Sequence, residues 1–274
     1  MRLDLSPEHA ELRTALRAFT RTRLDPIAAE MDRTGEVPDT AIPLLREHGY
    51  LGMTLPADYG GGGVDIGTYC LTLEEFSRSH RMFTLLLDYS TGLCPVGILR
   101  FGSDAQKRRW IPGLVSGDLR AAFALTEPEA GSDSAAIRTR AEKRPGGWAI
   151  NGRKHYISGG HNADVLLVIA VTDPAKRARG GISAFLVPRG TPGFTVTRVD
   201  QTIGSDVVRL GELTFEDCIV PDDALLGAEG DGFRIAMSSL VNGRLGVASS
   251  CIGAADKLLE MSVEHAKSRV TFGK

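Results

Sequence analysis

The stretch Leu125-Thr-Glu-Pro-Glu-Ala-Gly-Ser-Asp133 marks the point at which helical sequence patterns give way to strand patterns. Its proline and glycine predict a polar turn, and the simplest interpretation is a junction between two domains. The alternative is that Thr126, Ser132 and exposed backbone N–H groups face a planar ligand in a crevice between domains, a common place for cofactors. Taken alone, the stretch favours the junction.

The residues before this turn follow a helical pattern. Ser6 is placed to cap a first helix. Ser103 is followed three residues later by Gln106, the pattern of a capping box for a later helix. That helix is expected to stop near Gly117, because glycine commonly follows the last helical residue. We therefore predict that residues 1–122 form an N-terminal all-helical domain.

The residues after the turn follow a strand pattern. Two short apolar runs flank Asn151-Gly152, and an Asn-Gly pair between strands is the strongest short signal for a β-hairpin. Further strands are predicted at residues 165–172, 183–188, 194–199 and 212–215. We expect residues 123–225 to form an antiparallel barrel or sandwich-like domain, which makes the chain a multidomain α+β protein.

The last part of the sequence predicts one long helix. Residues 232–269 contain no proline and keep a helical rhythm of apolar and small residues. Such a helix would be roughly 57 Å long and needs partners along its side. Residues 226–274 are therefore predicted to begin a C-terminal helical domain. Because the sequence ends at Lys274, we expect the remainder of that domain to be absent or supplied by another chain.

The composition is that of an ordinary globular protein and names no partner. Of 274 residues, 42% are hydrophobic and 24% are charged, which suffices for a sizeable core. The 32 basic and 34 acidic residues form no long block of one sign, which argues against nucleic acid and membranes as partners. The four cysteines lack CxxC spacing and are expected to be reduced. With no secretory signal and no apolar stretch approaching membrane-spanning length, we predict a cytoplasmic protein.

Two weaker patterns in the sequence could indicate other chemistry. His155, His161 and Asp164 fit no standard spacing for metal ligands, so no metal site is predicted. The glycine-rich run 227–232 lacks the G-x-G-x-x-G spacing and does not follow a strand, which excludes a nicotinamide site there.

Five motifs together carry a resemblance to a known family. The segment Thr126-Glu-Pro-Glu-Ala-Gly-Ser-Asp133 resembles the flavin-contacting segment of acyl-CoA dehydrogenases. Four further motifs similar to that family follow in its order: Asn151-Gly-Arg-Lys-His-Tyr-Ile-Ser158, Phe215-Glu-Asp-Cys-Ile-Val-Pro221, Gly227-Ala-Glu-Gly-Asp-Gly-Phe233 and Arg269-Val-Thr-Phe-Gly-Lys274. The resemblance is nearest to short branched-chain members, and it implies FAD between the β domain and a closing helical bundle.

The resemblance also implies which residues contact FAD. The implied set is Phe123, Leu125, Thr126, Gly131, Ser132, Tyr156, Ile157, Ser158, Arg269 and Phe272. Tyr156, Ser158 and Glu129 stand where the family usually has Trp, Thr and Gly, but an aromatic face and a hydroxyl are retained. Without the other motifs, these would be a core aromatic residue and a turn serine. In the family, the Arg269 and Phe272 motif reaches the FAD of a partner subunit, which implies a homodimer or homotetramer.

The implied reaction is FAD-dependent α,β-dehydrogenation of an acyl-CoA thioester to a trans-2-enoyl-CoA. The implied acyl-CoA contacts are Ser132, Asn242 and Arg244, although a lone helical arginine is usually a solvated side chain. The implied electron acceptor is an electron-transfer flavoprotein or a similar protein, and the implied pathway is catabolism of fatty acids or branched-chain amino acids.

The catalytic residue is not identified within this sequence. The reaction needs a carboxylate base, which most members of the family carry near the C-terminus. A minority place it at the position of Gly243, which has no side chain. Two alternatives therefore stay open: a flavin monooxygenase-like or nitroalkane oxidase-like relative, and a non-catalytic or partner-completed flavoprotein subunit.

Overall fold

The computed structural model describes residues 4–273, apart from the side chains of residues 205 and 206, so Lys274 lies outside the described part. The N-terminal region is helical. Its helices are α1 (Pro7–Phe19), α2 (Asp25–Thr34), α3 (Ala41–Glu47), α4 (Ile66–Ser77), α5 (Arg81–Thr91), α6 (Leu93–Phe101) and α7 (Asp104–Ser116). A π-helical turn, Thr20–Leu24, joins α1 to α2.

The predicted helix boundaries are confirmed at three places. The Ser6 hydroxyl accepts a hydrogen bond from the His9 N–H at the start of α1. Ser103 and Gln106 form the expected reciprocal capping box at the start of α7, and Gly117 ends that helix with a φ of 76°. Only glycine adopts this left-handed backbone conformation without a steric cost in free energy.

One expectation about apolar runs is wrong. Residues 81–101 are long and apolar enough to pass as a membrane span by length and composition alone. In the fold this run is two helices, α5 and α6, which meet at Gly92, and most of it is buried within the folded chain. A helix that is apolar on all sides is also what the centre of a helical core requires.

The middle region is an eight-stranded, mostly antiparallel sheet. The strands are β1 (Ala121–Ala124), β2 (Arg140–Arg144), β3 (Gly147–Ser158), β4 (Val165–Val171), β5 (Ile182–Pro188), β6 (Phe194–Thr202), β7 (Ser205–Pro221) and β8 (Leu225–Leu226). Seven of them follow the order β6-β7-β3-β2-β4-β5-β8, and β1 pairs in parallel with β4. Strands β1 and β2 carry no strong sequence signal, so the sequence does not predict them.

The prediction of a β-hairpin at Asn151-Gly152 is also wrong. Strand β3 runs straight through this pair, and the β2–β3 turn lies earlier, between Arg144 and Gly147. The register with β7 shifts between Ile150 and Gly152, so the Asn-Gly pair forms a β-bulge. The Asn151 side-chain amide donates a hydrogen bond to the carboxylate of Asp217 on β7 and accepts one from the Asp217 backbone N–H. This asparagine therefore joins β3 to β7 and does not form a turn.

The predicted long helix is confirmed as α8, Gly232–Ser268, a single helix of 37 residues. Its buried residues are few and mostly small, among them Gly246 and Gly253, and α8 packs mainly on α4, α6 and β5. Separate apolar clusters lie among the N-terminal helices, between helices α6 and α7 and one face of the sheet, and on the opposite face of the sheet. The cluster between helices α6 and α7 and the sheet also contains Ile235 and Ala236 of α8, so the three regions pack against one another there.

Candidate functional site

A cavity of about 300 Å³ lies where α5, β1, β3 and α8 meet. Six of the residues expected to contact a flavin line it together: Phe123, Leu125, Thr126, Tyr156, Ile157 and Ser158. They come from two chain segments, the end of β1 with the following loop and the end of β3. The side chains of Leu240 and Val247 on α8 face the same space.

The loop that carries Thr126 is anchored by a buried lysine. The Lys154 ammonium donates hydrogen bonds to the Leu125 carbonyl at 2.9 Å and to the Glu127 carboxylate at 2.8 Å. The backbone N–H of His155 donates to the Thr126 carbonyl at 2.9 Å. Residues 125–127 are therefore bonded to β3 on both sides of Thr126, which fixes the position of this loop against the cavity.

Both members of the Lys154–Glu127 pair are charged at neutral pH. Burial lowers the pKa of Lys154 to about 8, against the opposing attraction of Glu127. Burial raises the pKa of Glu127, but the Lys154 charge and hydrogen bonds from Lys154, Thr139 and Arg138 together hold it below its usual value. A buried ion pair tolerates desolvation only when its remaining hydrogen-bonding capacity is satisfied, and the Arg138 and Thr139 N–H groups do this for Glu127 at 2.6 and 2.9 Å.

Tyr156 is held in an unusual conformation at the edge of the cavity. Its φ is 56°, and the register of β3 with β7 shifts between Lys154 and Ile157. Its ring stacks on that of His155 with centroids 3.8 Å apart, and its side chain is 58% exposed. A non-glycine residue at positive φ is costly, and such residues cluster at functional sites. The bulge therefore turns an aromatic face away from the sheet core.

The hydroxyl groups of Thr126 and Ser158 are available for a ligand. Both residues are half-buried and line the cavity. Within the described part of the chain, neither hydroxyl makes a hydrogen bond to another protein group. Two hydroxyls beside an exposed tyrosine ring and the apolar side chains of Phe123 and Ile157 suit a flat ligand with polar edges.

A second, larger cavity of about 870 Å³ adjoins the first. It lies between α4, α5 and α8, and its wall contains Gly243 and Arg244. The two cavities share six lining residues: Arg81, Leu85, Asp88, Leu93, Leu240 and Val247. Of the described residues lining either cavity, Asp88 alone carries a carboxylate.

Five residues of the predicted site line neither cavity: Gly131, Ser132, Asn242, Arg269 and Phe272. Gly131, Ser132, Arg269 and Phe272 lie on the surface, and the Phe272 side chain is 98% exposed. Their proposed contacts with FAD or acyl-CoA stay predictions. Across residues 4–273, no group of three or more His, Cys, Asp or Glu side chains is placed to hold a metal ion.

Sequence reasoning missed the contribution of α5 to both cavities. Its residues Arg81, Leu85, Asp88 and Tyr89 belong to none of the five motifs. One signal was present: Asp88 is a lone acidic residue after the apolar run Leu85–Leu87. Acidic residues are almost never found in such surroundings without a partner or a function.

Family models match most of the chain. Residues 6–118 match the N-terminal domain of acyl-CoA dehydrogenases, residues 122–218 the middle domain and residues 230–274 the C-terminal domain.

Curated proteins are similar along almost the entire chain. An acyl-CoA dehydrogenase of Bacillus subtilis (strain 168) is 41% identical over 272 residues, which are 99% of this chain and 72% of the relative. The mitochondrial short-chain specific acyl-CoA dehydrogenase of Mus musculus is 38% identical over 271 residues, or 99% of this chain and 66% of the relative. This chain thus spans 72% and 66% of the lengths of these two proteins.

Solved structures share the fold. A glutaryl-CoA dehydrogenase from Mycobacterium smegmatis, in complex with FADH2, has a TM-score of 0.88 and 33% identity, and the match covers 98% of this chain and 68% of that one. A chain in the structure of the electron transferring flavoprotein of Acidaminococcus fermentans has a TM-score of 0.91 and 35% identity, covering 100% of this chain and 72% of that one.

Proposed function

The chain belongs to the acyl-CoA dehydrogenase family, and we propose that it serves in the FAD-dependent α,β-dehydrogenation of an acyl-CoA thioester. The observation that carries this proposal is the meeting of six expected flavin-side residues in one cavity that adjoins the cavity of Arg244. Because the chain spans 72% and 66% of two relatives, the activity is proposed for a polypeptide of the relatives' length.

The first cavity is proposed to hold the isoalloxazine ring of FAD, which would accept the hydride from the substrate. Thr126 and Ser158 offer unpaired hydroxyls to the polar edge of such a ring, and Tyr156 offers an aromatic face. Lys154 and Glu127 keep the Thr126 loop in place. The solved glutaryl-CoA dehydrogenase in complex with FADH2 supports FAD as the cofactor.

The second cavity is proposed to hold the acyl group. Its wall is largely apolar, with Leu73, Leu93 and Leu240, as an acyl chain requires. The Arg244 guanidinium makes no ion pair or hydrogen bond within residues 4–273, so it is free to bind an anionic or carbonyl oxygen of the thioester. Gly243 lines the same wall but provides no base. The relatives named short-chain specific make butyryl-CoA the first substrate to try.

An electron-transfer flavoprotein is proposed as the acceptor, supported by the likeness to a chain in such a protein's structure. The homodimer or homotetramer and the cytoplasmic location stay predictions.

The proposal is tested by anaerobic titration with butyryl-CoA of the flavin-loaded protein, used as a polypeptide of the relatives' length. We expect the absorbance of oxidised flavin to fall and a trans-2-enoyl-CoA to form. Arg244→Ala should raise the thioester concentration needed for half-reduction by roughly tenfold or more, the loss expected for a charged hydrogen bond. Arg234→Ala is the matched control, since Arg234 lies on the same helix, pairs with Asp231 and faces neither cavity.

The proposal would be contradicted if the flavin stayed fully oxidised with every acyl-CoA tested. Oxygen consumption without a thioester would instead favour the oxidase-like alternative.

A further inference from the structure

We infer that Asp88 is a specificity-determining residue that selects acyl groups carrying a hydrogen-bond donor, an amino or hydroxyl group, along the chain. This inference rests on the proposed function and deepens it, because it names the class of acyl group that the second cavity accepts.

Asp88 lies at the junction of the two cavities. It is near the end of α5 and lines both the flavin-side cavity and the acyl cavity. Its carboxylate sits over Gly92, where a Cβ atom would come within 1.8 Å of the Asp88 Oδ1 atom. Glycine at position 92 therefore leaves the space that the carboxylate occupies.

The Asp88 carboxylate has no protein partner. Throughout residues 4–273, its oxygens make no hydrogen bond to protein and no ion pair. Arg81 and Arg244 line the same space, but neither forms an ion pair with it within 4.0 Å. Asp88 is half-buried at the cavity wall, and a partly desolvated carboxylate without a partner is costly and calls for an explanation.

The charge state of Asp88 fixes what it can recognise. Burial raises its pKa to about 6, so the group is ionised at neutral pH and acts only as an acceptor. Its surroundings are mainly apolar, with Leu85, Leu93 and Leu240 on the shared wall. An acyl group that brings a donor to this point gains a charge-assisted hydrogen bond, whereas an alkyl group leaves the carboxylate desolvated and unpaired.

The sharpest test uses thioethers of coenzyme A, which bind but cannot be dehydrogenated. Each S-hydroxyalkyl-CoA or S-aminoalkyl-CoA is paired with the S-alkyl-CoA of equal chain length, with the donor placed at successive carbons. The flavin-loaded protein is used as a polypeptide of the relatives' length, and isothermal titration calorimetry measures the dissociation constant of each ligand. We expect the wild type to bind the best donor-bearing ligand about tenfold or more tightly than its alkyl partner.

Variants separate a direct role from a change in folding. Asp88→Leu should abolish the preference and bind the alkyl ligand at least as tightly as wild type. Asp88→Asn should lose most of the preference for the amine but keep part of that for the hydroxyl, because the amide oxygen still accepts. Asp58 is exposed and lines neither cavity, so Asp58→Asn should change neither the preference for the amine nor that for the hydroxyl.

Three outcomes would overturn the inference. Equal binding of donor and alkyl ligands by wild type would do so, as would a preference that survives in Asp88→Leu. The third is that Asp88→Asn abolishes turnover of butyryl-CoA while leaving the ligand preference intact, which would make Asp88 the base instead. Failure of every CoA thioether to bind would overturn the proposed acyl-CoA function itself, a result distinct from equal binding.

Discussion

At the scale of single residues, the flavin-side loop depends on one buried ion pair. Lys154 is fully buried, and its ammonium bonds both the Leu125 carbonyl and the Glu127 carboxylate. Glu127 in turn accepts hydrogen bonds from two backbone N–H groups of the segment before β2. The pair therefore links β3, the Thr126 loop and the start of β2.

Replacing Lys154 by Met tests this role. The change leaves Glu127 buried without a counter-charge and the Leu125 carbonyl without its donor. We expect the free energy of unfolding in urea to fall by about 3 to 5 kcal/mol. The matched control is Lys143→Met, which removes an ion pair with Asp222 whose side chains are more than half exposed. That control should cost less than about 1 kcal/mol, and equal losses in the two variants would contradict the argument.

Asp88 provides a second test, in its effect on stability. Burial raises its pKa from the ordinary 3.8 to about 6. The folded state therefore holds the proton more tightly than the unfolded state, and stability falls as pH rises from 3.8 to 6. Above pH 6 the ionised group costs up to about 3 kcal/mol. Asp88→Asn should thus be more stable than wild type in urea at pH 7.5, and this advantage should shrink towards pH 4.

The Asp88→Asn comparison is made at both pH values with Asp58→Asn alongside, since Asp58 is exposed. An advantage of Asp88→Asn that does not depend on pH would show that its carboxylate has an ordinary pKa.

These residues also show what sequence can and cannot predict. The segment containing Lys154 was singled out by its resemblance to a family motif, but its bond to Leu125 depends on a contact between segments 29 residues apart. Asn151-Gly152 was misread because the pair suits both a hairpin turn and a bulge. Only the pairing partner on β7, Asp217, decides between them.

At the scale of elements, α8 joins the helical region to the site. Its length was predictable from the absence of proline and the sustained helical rhythm. Its packing face was not, because the buried residues include glycines, which carry no hydrophobic signal. A Cβ atom at Gly253 would lie 1.8 Å from the Glu74 carbonyl oxygen and 2.4 Å from the Ser77 hydroxyl on α4. Glycine therefore allows the two helices to approach closely.

Gly253→Ala tests the close approach of α8 to α4. The clash is with backbone, so α8 must shift, and we expect a loss of roughly 1 to 3 kcal/mol in the free energy of unfolding. Gly243→Ala is the matched control, because a Cβ there meets only the end of the flexible Leu93 side chain, at 2.8 Å. Both changes gain the same helix propensity, about 1 kcal/mol. Thermal unfolding should show the control at least as stable as wild type, and a Gly253→Ala variant of equal stability would contradict the packing argument.

At the scale of the whole molecule, the candidate site needs all three regions. Its walls come from α5 of the helical region, β1 and β3 of the sheet, and α8. The helical, β, helical order was predictable because the sequence period changes near residues 125 and 232. The joined cavities were not, since α5 and α8 are separated by 140 residues in sequence and no local pattern reports their contact.

The outer side of α8 leads to a prediction about assembly. It carries apolar side chains that recur at helical spacing and are each more than 40% exposed: Val241, Leu245, Ile252, Leu259 and Val263. A contiguous apolar stripe of this kind marks an interaction surface. We expect the 274-residue chain to associate in solution, so that sedimentation equilibrium gives an average mass above 29.4 kDa that rises with concentration.

Substitutions in the second half of α8 decide whether this stripe drives the association. The triple change of Ile252, Leu259 and Val263 to Gln removes apolar area from this stripe, so the average mass should fall towards 29.4 kDa. Changing Lys257, Glu264 and Lys267 to Gln alters the same stretch without removing apolar side chains and should leave association unchanged. A wild-type mass of 29.4 kDa at every concentration would contradict the prediction, as would equal effects of the two triple variants.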